Sequence, residues 1–338
     1  MTITTPAVFF DGPRQCSVRE QELEWPLPGH VLVRSQLTLI STGTELTLYS
    51  GEFPAGSRWA GMARYPFTPG YANIGVVEDI GDGVDPDWMG TRVATRGRHQ
   101  RLNVLDTDVL AQVPESIAGE EAAFFTLAQT VMNGVRRSRV GWGESVAVFG
   151  LGILGQLAAR FCRLCGARPV FGVDPAAKRR ALLPEEAGIQ PVDASQGVEA
   201  VRKAIAAATR DRLVDCAFEV TGLPRTIPDS MSTVRRQGRF ILLSSPRGMT
   251  EFDFHDLCNS PSYTIIGTHG GSQPPVATPD NPWTRERHTE FFFDLLLDGE
   301  LDLSRLMTRK AHFSDAPAIY ESLWEARTEE LGVGFTWD

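Results

Sequence analysis

The stretch Val146-Ala147-Val148-Phe149-Gly150-Leu151-Gly152-Ile153-Leu154-Gly155 decides the fold of this chain. An apolar, β-branched run leads into the pattern G-x-G-x-x-G, and a helical pattern from Gln156 to Cys165 follows at once. A second apolar run, Pro169 to Val173, ends at Asp174. The order of strand, glycine turn, helix, strand and acid predicts a βαβ unit that binds a dinucleotide; the alternative is an ordinary βα turn.

The three glycines and the acid have separate expected roles. Gly150 makes the tight turn, Gly152 lets the backbone approach a pyrophosphate at the helix N-terminus, and Gly155 lets helix and strand pack closely. Asp174 lies 19 residues after Gly155, about where an acid that binds the ribose is expected. Its carboxylate would accept hydrogen bonds from both ribose hydroxyls and repel a 2′-phosphate. The sequence therefore favours NAD(H) over NADP(H).

Length and charge bound the class of protein. A chain of 338 residues favours about two domains. Its net charge of −9 argues against binding to nucleic acid or to an anionic membrane. Residues 1–10 contain no basic region and no long apolar core, and no later segment reaches membrane-spanning length. We therefore expect a cytoplasmic protein without nucleic-acid or membrane partners.

The five cysteines are scattered, which does not suggest a disulfide framework. Cys162 and Cys165 form a C-x-x-C pattern, but they fall in the middle of a predicted helix and no second pair accompanies them. We interpret them as core thiols rather than as a zinc or redox site.

The chain changes character near Glu120. Residues 1–125 lack helical periodicity and predict short strands between turns rich in Pro and Gly. After a helical pattern that begins near Glu120, strands and helices alternate, which predicts a doubly wound parallel sheet. The predicted strands are 31–39, 74–80, 92–95, 146–149, 169–173, 215–220, 239–243 and 263–266. The predicted helices are 156–165, 176–186, 197–209 and 284–297.

Several further stretches carry a resemblance to a known family. They are Ser-Thr-Gly-Thr-Glu-Leu at 41–46, Pro-Gly-Tyr at 69–71, Gly-Thr-Arg-Val at 90–93, Phe-Glu-Val-Thr-Gly at 218–222, Arg-Arg-Gln-Gly-Arg at 235–239, and Phe-Ser-Asp-Ala-Pro at 313–317 with Tyr320. Together with the glycine turn they resemble the medium-chain dehydrogenase/reductase superfamily, which is alcohol-dehydrogenase-like, over nearly the whole chain.

The resemblance implies an α/β fold with two domains. Both chain ends, residues 1–125 and 271–338, would form a GroES-like β-domain. Residues 126–270 would form a Rossmann domain with a doubly wound parallel sheet. The resemblance also implies a small-molecule substrate in the cleft between the domains and a homodimer.

The chain departs from the zinc-using members of this superfamily. Those members carry Cys-Gly-Thr-Asp and Gly-His-Glu, and the positions of the Cys, His and Glu are here Thr42, Tyr71 and Ala72. A catalytic zinc needs about three nitrogen, sulfur or oxygen ligands from the protein, and these side chains do not supply them. Residues 93–113 contain no cysteine, so the lobe for structural zinc is missing as well. We expect no metal.

Without zinc, a side chain must exchange the proton of the substrate hydroxyl. The candidates are Thr44, Tyr71, His99 and Glu45. Thr44 matches the hydroxyl that relays the proton in zinc-dependent relatives. Tyr71 offers a phenol that would need a cationic neighbour or the nicotinamide charge to act as base. His99 follows a predicted strand on a polar segment and titrates near neutral pH, while Glu45 would orient a partner or bind hydroxyls.

Each catalytic candidate has a structural alternative. Tyr71 would fill space in the β-domain, His99 would be solvated, Thr44 would satisfy a turn and Glu45 would form an ion pair. His269 stands beside two glycines and is either close to a ligand or in a turn. The other histidines, His30, His255, His288 and His312, are interpreted as surface or packing residues.

The cofactor site is expected to include further residues. The resemblance places Arg179 against the adenosine ribose, although Arg179 with its basic neighbours would also suit the phosphate of NADP(H). It also implies that a pyrophosphate-binding arginine is replaced by Gly43. The predicted cofactor-binding residues are Gly150, Gly152, Ile153, Leu154, Asp174, Arg179, Val220, Thr221, Ser244 and Ser245.

Three functions fit these observations. The first is a zinc-independent, NAD(H)-dependent oxidoreductase that interconverts a secondary alcohol and a ketone on a sugar-like or secondary-metabolite substrate. The motifs at 41–46 and 69–71 favour it, because they are similar to a zinc-less branch near the bacteriochlorophyllide and sugar dehydrogenases. The second is a zinc-free enone or quinone reductase. The third is a non-catalytic dinucleotide sensor.

Overall fold

The protein, represented by a computed structural model, is described for residues 2–184 and 188–338 and divides into two units. One unit comprises the residues up to Thr126 and the segment Thr289–Asp338, and the other is Leu127–His288. The sequence predicted boundaries after residues 125 and 270. The second unit therefore extends 18 residues beyond the predicted boundary.

Contacts with a helix explain the displaced boundary. The Asn133 side-chain amide donates a hydrogen bond to the Ser272 hydroxyl at 2.9 Å. The Gln129 side-chain amide donates to the Arg285 carbonyl at 3.2 Å. Both donors lie on the helix Phe125–Ser138. These hydrogen bonds explain why residues 271–288 belong to the second unit.

The strands in the described ranges are, in chain order, β1 (Thr2–Gly12), β2 (Gln15–Glu24), β3 (His30–Leu39), β4 (Asn73–Ile80), β5 (Arg92–Thr95), β6 (Leu102–Asp106), β7 (Ala111–Gln112), β8 (Val146–Phe149), β9 (Val170–Asp174), β10 (Ile189–Asp193), β11 (Val214–Glu219), β12 (Val234–Leu242), β13 (Thr264–Gly267), β14 (Met307–His312) and β15 (Gly332–Thr336). The α-helices are α1 (Thr44–Ser50), α2 (Arg58–Met62), α3 (Gly119–Ala122), α4 (Phe125–Ser138), α5 (Ile153–Leu164), α6 (Ala177–Arg180), α7 (Val198–Ala208), α8 (Thr226–Met231), α9 (Arg285–Leu297) and α10 (Ala316–Glu325).

The first unit is built on two sheets. β1 and β2 form an antiparallel pair, and a larger sheet has the order β14-β15-β3-β4-β5-β7 with β6 also paired to β3. Both chain ends meet in the larger sheet, because Gly334 on β15 pairs with Leu39 on β3. Buried aromatic rings pack beside it, for example Phe10 and Tyr320, whose ring centroids are 4.8 Å apart.

Helix α1 was not predicted from the sequence. Its residues from Glu45 to Ser50 are all buried, so it lacks the polar face that makes a helical period visible. It ends where Gly51 adopts a left-handed conformation with φ of 68°.

The second unit contains a parallel sheet with the order β10-β9-β8-β11-β12-β13. The order reverses between β8 and β11, which is the edge at which open α/β sheets bind ligands. The fold class is thus confirmed as α/β with a doubly wound sheet. β10 was not predicted as a strand. Among the described residues, no helix combines the length and the apolar character that crossing a membrane requires.

Two predictions in the second unit differ from the structure. Helix α6 has four residues and ends at Arg180, whereas the sequence predicted a helix over 176–186; residues 185 and 186 of that prediction lie outside the described residues. Cys162 is buried, and burial raises the pKa of its thiol, but Cys165 is exposed. Only Cys162 is therefore a core thiol as predicted.

Candidate active site

The glycine turn has the geometry that its sequence predicts. Gly150 follows β8 with a φ of 92°, which favours glycine, and its position for a Cβ lies 3.0 Å from the Thr221 Cα. A Cβ on Gly155 would lie 1.8 Å from the Gly150 carbonyl oxygen. Helix α5 begins at Ile153, directly after Gly152. The first amide groups of a helix have no partner within it, so this turn presents donors that suit a phosphate.

Asp174 lies beside the glycine turn at the end of β9. It is buried, and its carboxylate accepts hydrogen bonds from the amides of Leu151 and Ala176, each at 2.8 Å. The Arg179 guanidinium is 3.8 Å from the same carboxylate. The structure thus brings the predicted ribose acid to the turn, and it also places a positive charge next to that acid.

A buried acid, Glu219, connects two other predicted cofactor residues. It ends β11 and accepts hydrogen bonds from the Thr221 amide at 2.7 Å and hydroxyl at 2.5 Å. It also accepts a hydrogen bond from the Ser244 hydroxyl. Val220 is held to the end of β8 by its amide, which donates to the Phe149 carbonyl at 2.9 Å.

Glu219 was quoted in a motif but was not predicted as a site residue. An acid at the end of an otherwise apolar strand was the available signal, since a buried carboxylate requires partners. Ser245, in contrast, was predicted as a cofactor residue but is exposed, and Glu219 accepts no hydrogen bond from it among the described contacts.

A cluster of hydroxyls surrounds Tyr71 in the first unit. The Tyr71 phenol donates a hydrogen bond to the Ser41 hydroxyl at 2.5 Å and makes a longer contact of 3.4 Å with the Thr44 hydroxyl. Ser41 follows β3, Thr44 begins α1 and Tyr71 precedes β4, so three separate elements meet here. We call these three residues the hydroxyl cluster. Ser41 was not predicted as a site residue.

The surroundings keep the Tyr71 phenol protonated. Burial raises its pKa, and the negative charge of Glu45 acts in the same direction. Hydrogen bonds with Ser41 and Thr44 and the positive charge of Arg96 act to lower this pKa, but burial dominates. Arg96 is the cationic neighbour that the sequence could not identify. Tyr71 is therefore a hydrogen-bond donor at neutral pH.

His99 does not lie on a solvated segment, which corrects the sequence-based expectation. It has no solvent-exposed surface, and its ring nitrogens contact the Thr38 hydroxyl at 2.7 Å and the Glu45 carboxylate at 3.0 Å. The Phe335 ring packs against it with centroids 5.2 Å apart. Because His99 is fully buried, unlike the partly exposed Tyr71, and both of its ring nitrogens have protein partners, a substrate has no direct access to it.

Glu45 connects His99 to the hydroxyl cluster. One carboxylate oxygen faces His99 and accepts a hydrogen bond from the Tyr320 phenol at 2.5 Å. The other oxygen accepts a hydrogen bond from the Ser41 amide at 2.9 Å. Glu45, His99 and Tyr320 thus form a buried network that fixes the backbone of Ser41. The contact of Glu45 with His99 fits both the orienting role predicted for Glu45 and the structural ion pair that was its alternative.

The donors in the first unit do not fit a zinc ion. The Tyr71 phenol is engaged with Ser41, Ala72 has a methyl group, and Thr42 offers a neutral hydroxyl. In residues 2–184 and 188–338, no three His, Cys, Asp or Glu side chains are grouped to hold a metal.

The remaining histidines have structural contacts. His269 is exposed, and its Nδ1 accepts a hydrogen bond from the Gly271 amide at 3.0 Å in a short turn. His288 is fully buried, with its Nδ1 at 2.8 Å from the Gln273 side-chain oxygen. Neither histidine contacts a residue predicted for the cofactor.

Comparison with known proteins finds similarity to dehydrogenases. Residues 154–283 match the family described as zinc-binding dehydrogenase. The D-guloside 3-dehydrogenase of Shigella flexneri is 24% identical over 351 residues, covering 96% of this chain and 98% of that protein.

Two solved structures share the fold. A protein from Sinorhizobium meliloti 1021, described as a zinc-binding dehydrogenase and bound to NADP, superposes with a TM-score of 0.82 at 22% identity, covering 99% of this chain and 100% of the other. An alcohol dehydrogenase from Escherichia coli CFT073 in complex with NADH gives a TM-score of 0.78 at 17% identity, covering 99% of each chain. The fold, the glycine turn and these full-length similarities together support the resemblance of the chain to the medium-chain dehydrogenase/reductase superfamily of oxidoreductases.

Proposed function

We propose that this protein is a zinc-independent, NAD(H)-dependent oxidoreductase that interconverts a secondary alcohol and a ketone on a sugar-like or secondary-metabolite substrate. The observation that carries the proposal is the hydroxyl cluster. Tyr71 stands where zinc-using members of the superfamily have a metal ligand, and its phenol is held by Ser41 and Thr44.

The cofactor, when bound, supplies or accepts a hydride. The turn at 150–155 would bind its pyrophosphate with backbone amides, and Asp174 would accept hydrogen bonds from the ribose hydroxyls. Each Asp174 oxygen already accepts one amide, at 2.8 Å, and retains a second lone pair for the ribose. Arg179 would contact the adenosine ribose. Its positive charge would partly offset the repulsion between Asp174 and a 2′-phosphate.

The proton would be exchanged by the phenol of Tyr71. In carbonyl reduction, the Tyr71 phenol donates its proton to the developing alkoxide oxygen, and Thr44 orients that oxygen with its hydroxyl. The raised pKa keeps the phenol protonated at neutral pH before the transfer. The hydrogen bonds with Ser41 and Thr44 and the charge of Arg96, which act to lower this pKa, would stabilise the phenolate that remains until a proton from solvent restores it. Ser41 holds Tyr71 in place, and the network of Glu45, His99 and Tyr320 holds Ser41.

The substrate class is supported by a relative and by the donors of the site. The full-length relative is named as a dehydrogenase of a guloside at position 3, which is a secondary alcohol on a sugar. Hydroxyls such as those of Thr44 and Tyr71 suit a substrate with several oxygen atoms. A small molecule, rather than nucleic acid or a membrane, is the proposed partner, and a cytoplasmic location stays a prediction.

A homodimer is also proposed. β13 is an edge strand of the parallel sheet, and its Ile265 is 38% exposed. Unpaired edge strands that carry apolar side chains favour pairing with another chain. Light scattering of the purified protein, with Ile265→Lys as the comparison, would test this assembly; a monomeric wild type would contradict it.

An activity panel tests the proposed function. Purified protein is assayed with NADH or NAD and with ketones, secondary alcohols and enones, before and after treatment with a chelator, while elemental analysis measures bound zinc. We expect turnover with ketones and alcohols, unchanged by the chelator, in protein without stoichiometric zinc. Turnover confined to enones would indicate the reductase alternative. Cofactor binding without any turnover would indicate a sensor. One zinc per chain with chelator-sensitive activity would contradict the proposal.

A further inference from the structure

A cavity of about 120 Å³ lies at the amino end of the parallel sheet. Ser145, Pro169 and Leu213 line it, and each directly precedes a strand: β8, β9 and β11. The glycine turn follows the carboxyl end of β8, so this cavity is at the opposite edge of the sheet from the predicted cofactor residues. One buried water needs only about 10–15 Å³, so the cavity has room for a small polyatomic ligand.

The lining of the cavity is positively charged. Three arginines line it, Arg168, Arg212 and Arg235, together with one acid, Asp215. Three guanidiniums against one carboxylate leave a net charge of +2, in a chain whose net charge is −9. A positively charged cavity in a negatively charged protein favours the binding of an anion.

The acid in the cavity is already engaged. The Asp215 carboxylate accepts hydrogen bonds from the Ser145 amide and hydroxyl, both at 2.8 Å, and from the Arg235 Nε at 2.6 Å. Asp215 therefore neutralises Arg235 and fixes its position. The positive charges of Arg168 and Arg212 are not neutralised by it.

Arg168 and Arg212 are available to a ligand. Across residues 2–184 and 188–338, neither guanidinium has an ion pair or a side-chain hydrogen bond. Helix α7 ends at this cavity and its C-terminal dipole opposes an anion, but that effect is equivalent to about half a charge, against two guanidiniums.

The loop that carries Arg212 is held in an uncommon conformation. Arg210, Asp211 and Leu213 all have left-handed backbones, with φ of 55°, 60° and 65°. The Leu213 amide donates to the Thr209 hydroxyl at 3.0 Å, and the Asp211 amide donates to the Ala206 carbonyl at 2.9 Å. Such backbones persist where the surroundings hold them and are frequent at ligand clamps.

We propose that this cavity is a binding site for a phosphate group, gripped by Arg168 and Arg212 beside the fixed pair of Arg235 and Asp215. Guanidinium groups match the geometry of phosphate oxygens. The ligand is either free inorganic phosphate or the phosphoryl group of a small metabolite. This site is independent of the proposed oxidoreductase activity.

Isothermal titration with inorganic phosphate, at an ionic strength held constant with NaCl, tests the proposal. We expect saturable binding to the wild type, and binding at least tenfold weaker in the double variant R168Q/R212Q, since charge-assisted hydrogen bonds are lost. R210Q is the matched control, because Arg210 is on the same loop but does not line the cavity; it should bind like the wild type.

Three results would overturn the site: no saturable binding to the wild type, equal binding by the double variant, or equal weakening in R210Q. Thermal unfolding of the variants without phosphate confirms that they are folded, which is expected because the substituted side chains are exposed. If phosphate binds as expected, competition with glycerol 3-phosphate identifies the source. Tighter binding of the ester assigns the site to a phosphorylated metabolite, and equal or weaker binding assigns it to the free ion.

Discussion

At the scale of single residues, buried acids organise the proposed site residues within each unit. Glu45 fixes Ser41 in the first unit, and Glu219 ties Thr221 to the Ser244 hydroxyl in the second. Asp174 binds two backbone amides beside the glycine turn. Since a buried carboxylate is costly unless it is hydrogen-bonded, these acids also fix the positions of their neighbours.

The first prediction concerns the charge of Asp174. Asp174→Asn removes the charge that repels a 2′-phosphate and one acceptor for the ribose. The preference for NADH over NADPH should therefore fall by roughly ten- to a hundredfold, which corresponds to about 1–3 kcal/mol. Fluorescence titration of both cofactors measures it. The matched control is Asp193→Asn, an acid on the neighbouring strand that pairs with Arg180; equal affinities already in the wild type would mean that Arg179 dominates.

His99 gives a second prediction, which differs from the one that its sequence suggested. Because the ring is enclosed between Thr38 and Glu45, His99→Asn should lower the free energy of unfolding by about 1–3 kcal/mol, the usual effect of leaving a buried hydrogen-bonding group without its partner. Urea denaturation measures this change. The pH profile of turnover in the folded variant should match that of the wild type. Loss of a limb near neutral pH with unchanged stability would instead restore His99 as a proton carrier.

At the scale of elements, Gly152 and Gly155 of the turn should respond differently to the same methyl group. A Cβ at Gly155 would meet the Gly150 carbonyl at 1.8 Å, whereas one at Gly152 meets nothing within 4 Å. Gly155→Ala should therefore lower the melting temperature by forcing α5 away from β8. Gly152→Ala should leave the melting temperature unchanged but weaken NADH binding, since the pyrophosphate must approach there. Equal effects of the two changes on stability would show that the turn is packed differently.

The same elements show how far the sequence predicted the fold and site. The dinucleotide-binding turn could be predicted because its sequence signal is local: it consists of the ten adjacent residues 146–155 and of Asp174, which follows 19 residues after Gly155. The surroundings of His99 depend on Thr38 and Glu45, which are 61 and 54 residues away in the chain, so a local pattern does not reveal its burial. Helix α1 was not predicted because every residue after Thr44 is buried, so the helix shows no alternation of polar and apolar faces. Ser41 and Tyr320 lay in motifs but were not predicted as site residues. Their partners, Tyr71 and Glu45, are 30 and 275 residues away in the chain, so a local pattern does not reveal these hydrogen bonds.

At the scale of the whole molecule, stability should depend on a neutral histidine. Burial lowers the pKa of His288 to about 4, with smaller contributions from Arg136 and Arg287. In the unfolded chain the pKa returns to about 6.5, so the unfolded state binds a proton that the folded state excludes. Stability is fully present above pH 6.5 and falls between about pH 6.5 and 4, by up to a few kcal/mol. Urea unfolding between pH 4 and 6.5 measures how the free energy of unfolding depends on pH. His288→Gln should make this dependence weaker. If the variant shows the same dependence as the wild type, other groups cause it.

The proposed chemistry as a whole depends on one phenol. Tyr71→Phe removes the proton donor of the hydroxyl cluster and keeps the ring. Tyr65→Phe is the matched control, because its phenol is bonded only to the Leu48 carbonyl among the described contacts. The decisive measurement is kcat for ketone reduction by NADH in the wild type and both variants, with cofactor affinity measured alongside. We predict that Tyr71→Phe lowers kcat by roughly 10²–10⁴-fold with NADH affinity unchanged, while Tyr65→Phe stays within a few-fold of the wild type. Turnover by Tyr71→Phe within a few-fold of the wild type would contradict the assignment of Tyr71 as the group that replaces zinc.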